Sequence, residues 1–236
     1  MRSFILAAVS LASVAIAQTP GNFSPAISGP LDVEYAETIV TPGKVLGGRV
    51  PQNPPTIGSK TFLNGSYLLA MVDFDNQANL GLLPGNPQPL IGSYLHWLQP
   101  NIKFSSIPRA VQPANPNTST IYIADTFEKP TVPYLAPQAA NSSKEDGHRY
   151  VFILWPEIQT FVAPANFPYN NTFRLAFNAS RIASEGITGE PILADWFTYE
   201  ANATKTCGGS YSLGTATATN YKGKSGPTPF KAYRWV

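Results

Sequence analysis

The sequence predicts a mainly β protein, a sandwich of short strands with one or two short helices. Three observations lead there. Twenty-three prolines and 18 glycines punctuate the 236 residues, a density that suits many short strands and turns and disfavours long helices. Three runs alternate with period two: Tyr67 to Asp75, Ser93 to Leu98 and Asp146 to Leu154. Both faces of each run are largely apolar, as expected of central strands with one face in a sandwich core and the other covered by loops or short helices.

The chain opens with the pattern of a secretory leader. Arg2 supplies a positive start, Phe4 to Ile16 is apolar, and Ala15-Ile16-Ala17 gives a small–x–small cleavage pattern. Residues 1–17 are therefore expected to be removed, with Gln18 opening the mature, secreted protein. The apolar stretch falls short of the ~18 residues of a membrane span, and no later segment reaches that length.

From Leu31 to Pro55 the pattern is extended, with Val33, Tyr35, Val40, Val45 and Val50 between Gly and Pro breaks. In the first period-two run, Leu69, Met71 and Asp73 share one face and Ala70, Val72 and Phe74 the other. Tyr94, His96 and Leu98 are expected on one face of the second run, and His148, Tyr150 and Phe152 on one face of the third. Thr120 to Ala124 and Glu190 to Tyr199 are further strand candidates. A short helix is expected after Asn178, a suitable N-cap, with Ile182 as its large apolar residue and Gly186 at the C′ position. Leu80 to Gly92, Pro108 to Asn117 and Tyr134 to Gly147 read as long connections, the kind that often carries function. Residues 18–203 are expected to form one domain. Residues 204–236, rich in Gly, Ser, Thr and Lys, read as a mobile tail ending in an aromatic segment.

Charge excludes one class of partner. Sixteen Lys and Arg stand against 14 Asp and Glu, with no basic cluster, so nucleic acid is not expected. Seven Asn-x-Ser/Thr sites, at Asn22, Asn64, Asn117, Asn141, Asn170, Asn178 and Asn202, are candidate glycan acceptors behind the leader. Cys207 is the only cysteine. No internal disulfide can form, so the core alone must hold the fold. Cys207 is either a thiol without a role or a point of intermolecular pairing.

Only two histidines are present, His96 and His148, and both lie inside strand-like runs. Polar groups in apolar strands are costly unless paired. Together with Asp73 they can converge on one small site. Asp75 is expected to cap backbone N–H groups as a strand-end turn residue; the competing reading gives Asp73 that role too, has both histidines satisfied by backbone groups, and leaves Tyr150 serving the core alone. A hydrolase using carboxylates and histidines, or a metal held by His96, His148 and Asp73, are weaker alternatives. Neither His-x-x-x-His nor Gly-x-Ser-x-Gly occurs.

These runs resemble the motifs of the phosphatidylethanolamine-binding protein family. Val72-Asp73-Phe74-Asp75-Asn76 is similar to a strand ending Asp-Pro-Asp-Ala-Pro. Tyr94-Leu95-His96-Trp97-Leu98 resembles the family's histidine strand. Asp146-Gly147-His148-Arg149-Tyr150-Val151-Phe152 matches the core of Gly-x-His-Arg-Tyr-x-Phe, with the Gly one place closer. Tyr134-Leu135-Ala136-Pro137 is similar to Tyr-x-Gly-Pro. Arg174-Leu175-Ala176-Phe177 and Gly189 to Phe197 resemble the closing segment. Phe74 and Gln77 replace both prolines of the first motif, Ala136 stands where Gly is usual, and Gln138 to Glu145 is a longer polar insert.

The resemblance runs from about Leu31 to Asn202 and implies an antiparallel β-sandwich with a small anion pocket. It implies ligand-binding positions at Asp73, His96, Ala136, Pro137, His148 and Tyr150, and no catalytic residue, metal or cofactor. Imidazole N–H and phenol O–H groups can donate to phosphate oxygens. Asp73 would fix an imidazole tautomer or meet a ligand ammonium. The implied ligand is a phosphate-containing small molecule or phospholipid head group, held by a non-catalytic monomer. The alternative is an interaction module inhibiting a secreted or vacuolar protease, by analogy with the yeast carboxypeptidase Y inhibitor.

Overall fold

In the computed structural model, residues 17–36, 38–47, 50–75, 93–110, 120–125, 128–138, 147–159, 161, 174, 177–184 and 188–200 are described. They all fall within the unit Met1–Thr204. Most of the leader, the tail with Cys207, the sequons at Asn117, Asn141, Asn170 and Asn202, and most of the expected long connections lie outside the described residues.

Ten strands are present among the described residues: β1 (Asp32–Tyr35), β2 (Thr38–Ile39), β3 (Lys44–Gly47), β4 (Thr56–Ser59), β5 (Tyr67–Asp73), β6 (Tyr94–Phe104), β7 (Arg109–Ala110), β8 (Thr120–Asp125), β9 (His148–Pro156) and β10 (Leu193–Glu200). One short helix, α1 (Ala179–Ser184), follows Asn178. Asn178 Oδ1 accepts the Ser180 N–H at 3.0 Å, as its N-cap role requires. Ile182 is buried. The mainly β reading holds. Two short strands went unread: β4, and β7 within an expected loop.

The strands follow one hydrogen-bonded path, β2-β1-β4-β8-β6-β5-β9-β10-β3, with β7 beside β8. All pairings are antiparallel except β10 with β3, which is parallel. Tyr35 on β1 nevertheless packs against Phe152 on β9 and Phe197 on β10, with ring centroids 6.4 and 5.7 Å apart. Strands so distant in the order meet only if the sheet curls over itself. The two layers are thus halves of one curled half-barrel rather than two separate sheets. The link is β6, whose far end pairs with β8 through Lys103↔Asp125 and Phe104↔Ala124.

Every residue of β5 is buried. Leu69 and Met71 enter the inner core with Val33, Ile57, Phe152 and Phe197. Leu68, Ala70 and Val72 face a second core with Val151, Ile153, Trp155, Phe23 and α1. The period-two reading of β5 and β9 therefore holds on both faces.

In β6 it fails. Leu95 and Leu98 lie in the outer core and Trp97 in the inner one. The register explains this: Met71 faces Trp97 and Val72 faces Leu95, which leaves His96 as an extra residue. Such a bulge re-aims side chains. It separates His96 from Leu98, expected on the same face, and turns the imidazole toward β5 and β9.

Candidate functional site

The end of β5, the bulge of β6 and the start of β9 are adjacent, so Asp73, His96, His148 and Tyr150 come together. Asp73 stands opposite Tyr150 on one side and Tyr94 on the other. Its side chain is almost fully buried, at 2% exposure, so it needs donors. Oδ2 accepts the Nδ1–H of His148 at 2.8 Å. Oδ1 accepts the backbone N–H of Asp75 at 3.0 Å.

The two histidines are not equivalent. His96 is 3% exposed. Its Nδ1 lies 2.9 Å from the Leu135 carbonyl, which can only accept, so the proton sits on Nδ1. Nε2 is then bare and stands 3.9 Å from Asp73 Oδ2, beyond hydrogen-bond reach. The ring meets Tyr150 edge-on at 5.0 Å and Tyr94 at 5.2 Å. Burial pushes the His96 pKa down, with the Leu135 bond and Asp73 opposing. The His148 side chain is 14% exposed, and its bond to Asp73 holds its pKa above the usual range against a smaller effect of burial. The site therefore pairs a neutral, buried imidazole with a more exposed, readily charged one. With Nδ1 committed to Asp73, Nε2 is the His148 nitrogen left for a ligand.

Tyr150 is fully buried beneath the site. Its ring stacks on Phe197 at 5.3 Å. Its hydroxyl donates to the Gln138 carbonyl at 3.0 Å and accepts the Gln138 N–H at 3.1 Å. Burial, and secondarily the charge of Asp73, raise its pKa further. Its O–H is already used, so it reaches an anion only by releasing Gln138.

Ala136 and Pro137 are held beside these residues by the backbone on either side. The Leu135 N–H donates to the His96 carbonyl at 2.9 Å, and Gln138 is fixed by Tyr150. Pro137 is buried and Ala136 half-buried. The roles of Leu135 and Gln138 went unread because they act through backbone atoms, which leave no side-chain signal. Arg174 was read only as part of a motif. It donates to the carbonyls of Leu95 (2.9 Å), His96 (3.0 Å) and Pro133 (2.9 Å).

Asp75 has the capping role expected of it and more. Oδ2 accepts the Arg149 backbone N–H at 3.0 Å, and the carboxylate forms a fork with the guanidinium at 2.6 and 2.5 Å. Phe74, at a position where the motif has Pro, lies 4.7 Å beneath that guanidinium and 5.3 Å from Phe23. The altered motif is thus packed on both sides.

Among the described residues no three His, Cys, Asp or Glu side chains are placed to hold a metal ion. Among the described residues no helix is long and apolar enough to cross a membrane. A separate cavity of about 290 Å³ is lined by Asp32, Glu34, Lys60, Ile121 and Asp195, among others, and by none of the four clustered residues.

The chain is similar in fold to a carboxypeptidase Y inhibitor solved in complex with its cognate proteinase, at 16% identity and a TM-score of 0.52, over 75% of this chain and 85% of that one. It also matches a phosphatidylethanolamine-binding protein from Plasmodium falciparum at 19% identity and a TM-score of 0.37, over 72% of this chain and 84% of that one. No curated protein matches it. The model of the phosphatidylethanolamine-binding protein family matches residues 29–192, well over half the sequence and all four clustered residues, and on that match the chain belongs to the phosphatidylethanolamine-binding protein family.

Proposed function

We propose that this protein is secreted, acts as a non-catalytic monomer and binds a small anion, phosphate or a phospho-head-group, at the Asp73–His148 pair. The observation that carries this reading is the 2.8 Å bond between His148 Nδ1 and Asp73. It stabilises an imidazolium whose Nε2–H is the natural donor to a phosphate oxygen. His96 and Tyr150 support the pair, and Ala136 and Pro137 form its rim. Calorimetric titration with inorganic phosphate, comparing wild type with His148→Ala, tests the reading. Measurable binding that weakens in the variant supports it, and equal affinities overturn it.

The second reading is an interaction module that inhibits a protease. Its support is the likeness in fold to an inhibitor solved with its cognate proteinase. Inhibition of a carboxypeptidase that survives replacement of both histidines would favour it.

A further inference from the structure

The β6 bulge creates an unusual demand. In a regular strand, successive carbonyls point to opposite edges and each meets a neighbouring strand. At the bulge, the consecutive carbonyls of Leu95 and His96 turn to one side. Both accept from a single nitrogen, Arg174 Nη1, at 2.9 and 3.0 Å. The other terminal nitrogen, Nη2, donates to the Pro133 carbonyl at 2.9 Å. One planar guanidinium therefore ties the bulge to the segment Val132–Gln138, which otherwise meets β6 through Leu98↔Val132 and the Leu135–His96 bonds.

The geometry points to Arg174 as the positioning residue that aims His96 into the site and holds the Ala136–Pro137 rim against it. This rests on the reading of that cluster as an anion site. The hydrogen bonds of Arg174 go to backbone carbonyls on two sides of the site, so it acts on the site through the backbone. Loss of the clamp takes a donor from the Leu95 and His96 carbonyls on one side and from the Pro133 carbonyl on the other, and leaves His96 tied to that segment by its Leu135 bonds alone. Pro133 has no N–H with which to pair in return. Lysine cannot replace the clamp: its single ammonium keeps the charge but lacks the rigid fork that reaches three carbonyls at once.

Arg174→Lys and Arg174→Ala test this by two readouts. The chain has only two histidines, so their ring protons can be titrated separately by NMR in ligand-free protein, with His148→Ala giving the assignment. Asp73, His148, Tyr94, Tyr150 and Arg174 are the polar and titratable groups that face or act on His96. In Arg174→Lys, which retains the charge, the His96 titration should move upward as the ring gains water, while His148 stays in place. Phosphate affinity should fall roughly tenfold, the loss of one good hydrogen bond's worth of positioning. A His96 titration in Arg174→Lys that superimposes on wild type overturns the proposal, whatever phosphate does. Wild type that fails to bind phosphate overturns the anion reading instead and leaves the His96 titration to decide the clamp. Circular dichroism identifies a variant that has unfolded. If Arg174→Ala is one, the Arg174→Lys titration is decisive by itself.

Discussion

Asp73 Oδ2 accepts from His148 at 2.8 Å while His96 Nε2 stands 3.9 Å from the same oxygen. One carboxylate thus separates two imidazoles that look alike in sequence. The one that bonds it is drawn toward the cation. The other, buried and bonded to a carbonyl, is drawn toward the neutral form.

Phosphate affinity should therefore follow the charge of His148. The cationic form carries the Nε2–H, and its pKa lies above the ordinary ~6.5. Affinity is full below that folded-state value and falls as pH rises through it. His148→Ala should cost about 1.5–3 kcal/mol of binding at acid pH and remove the fall in affinity that follows the imidazolium, leaving only the pH dependence of phosphate's own ionisation. His96→Ala should keep the pH dependence while weakening binding by a similar factor at every pH, and should lose stability as well. Calorimetry on both variants, in acid and in alkaline buffer, checks this; a pH dependence that vanishes with His96 rather than His148 refutes the assignment.

Asp73→Asn isolates the carboxylate. The amide oxygen can still accept the Asp75 N–H now taken by Oδ1, but it cannot stabilise an imidazolium. Burial, which opposes protonation of His148, is then countered only by the weaker influence of the Asp75 charge, and the His148 titration should move below the wild-type value. A raised histidine pKa contributes stability that is fully present below the unfolded value and is lost as pH rises through the folded one. The variant should accordingly lose roughly 1–2 kcal/mol of stability in acid buffer and less in alkali. NMR titration and urea denaturation measure both effects, and an unmoved His148 titration contradicts the pairing.

The sequence carried the faces of β5 and β9 because strict alternation has a single structural translation. Leu69 and Met71 reached one core and Leu68 and Ala70 the other. It did not carry the face of His96. The run Tyr94-Leu95-His96-Trp97-Leu98 holds no Gly or Pro to mark the bulge, which arises from how β6 registers against β5. The curl of the sheet was hidden for a related reason: it depends on the non-local pairing of Lys103 with Asp125. The side chains of the site were legible through the family motifs. Their unequal protonation was not, because it follows from burial and from the backbone of Leu135 and Gln138.

Export and glycosylation make a separate prediction. Asn22, Asn64 and Asn178, the sequons among the described residues, are all exposed, so an attached glycan needs no buried space. Protein recovered from a secreting host should begin at Gln18 and lose mass on enzymatic deglycosylation. Terminal sequencing that finds Met1 intact on the recovered protein contradicts export with cleavage.

Asp195 gives the last prediction, in a part of the protein that sequence reading left without a role. Its side chain is 2% exposed on β10 and lines the cavity of about 290 Å³ together with Asp32. Oδ1 accepts the Trp196 N–H at 2.8 Å. Burial pushes its pKa up to about 7; Asp32 adds to the rise, while the Trp196 bond and Lys44 oppose it. An acid whose folded pKa lies above the unfolded ~3.9 favours folding only when protonated. Its penalty is absent below about pH 4, grows as pH rises toward about 7, and is constant above that. Asn is neutral throughout, keeps an acceptor for Trp196, and offers a donor toward Asp32, whose Oδ2 is buried with no hydrogen-bond partner among the described residues. Asp195→Asn should therefore stabilise the protein by on the order of 2–4 kcal/mol near pH 8 and have little effect near pH 4. Urea denaturation of both proteins across that range reads the difference directly. A gap between the two stability curves that stays constant with pH would show that Asp195 titrates in the folded protein as it does in the unfolded chain, and that its burial is compensated by partners other than Trp196 and Lys44.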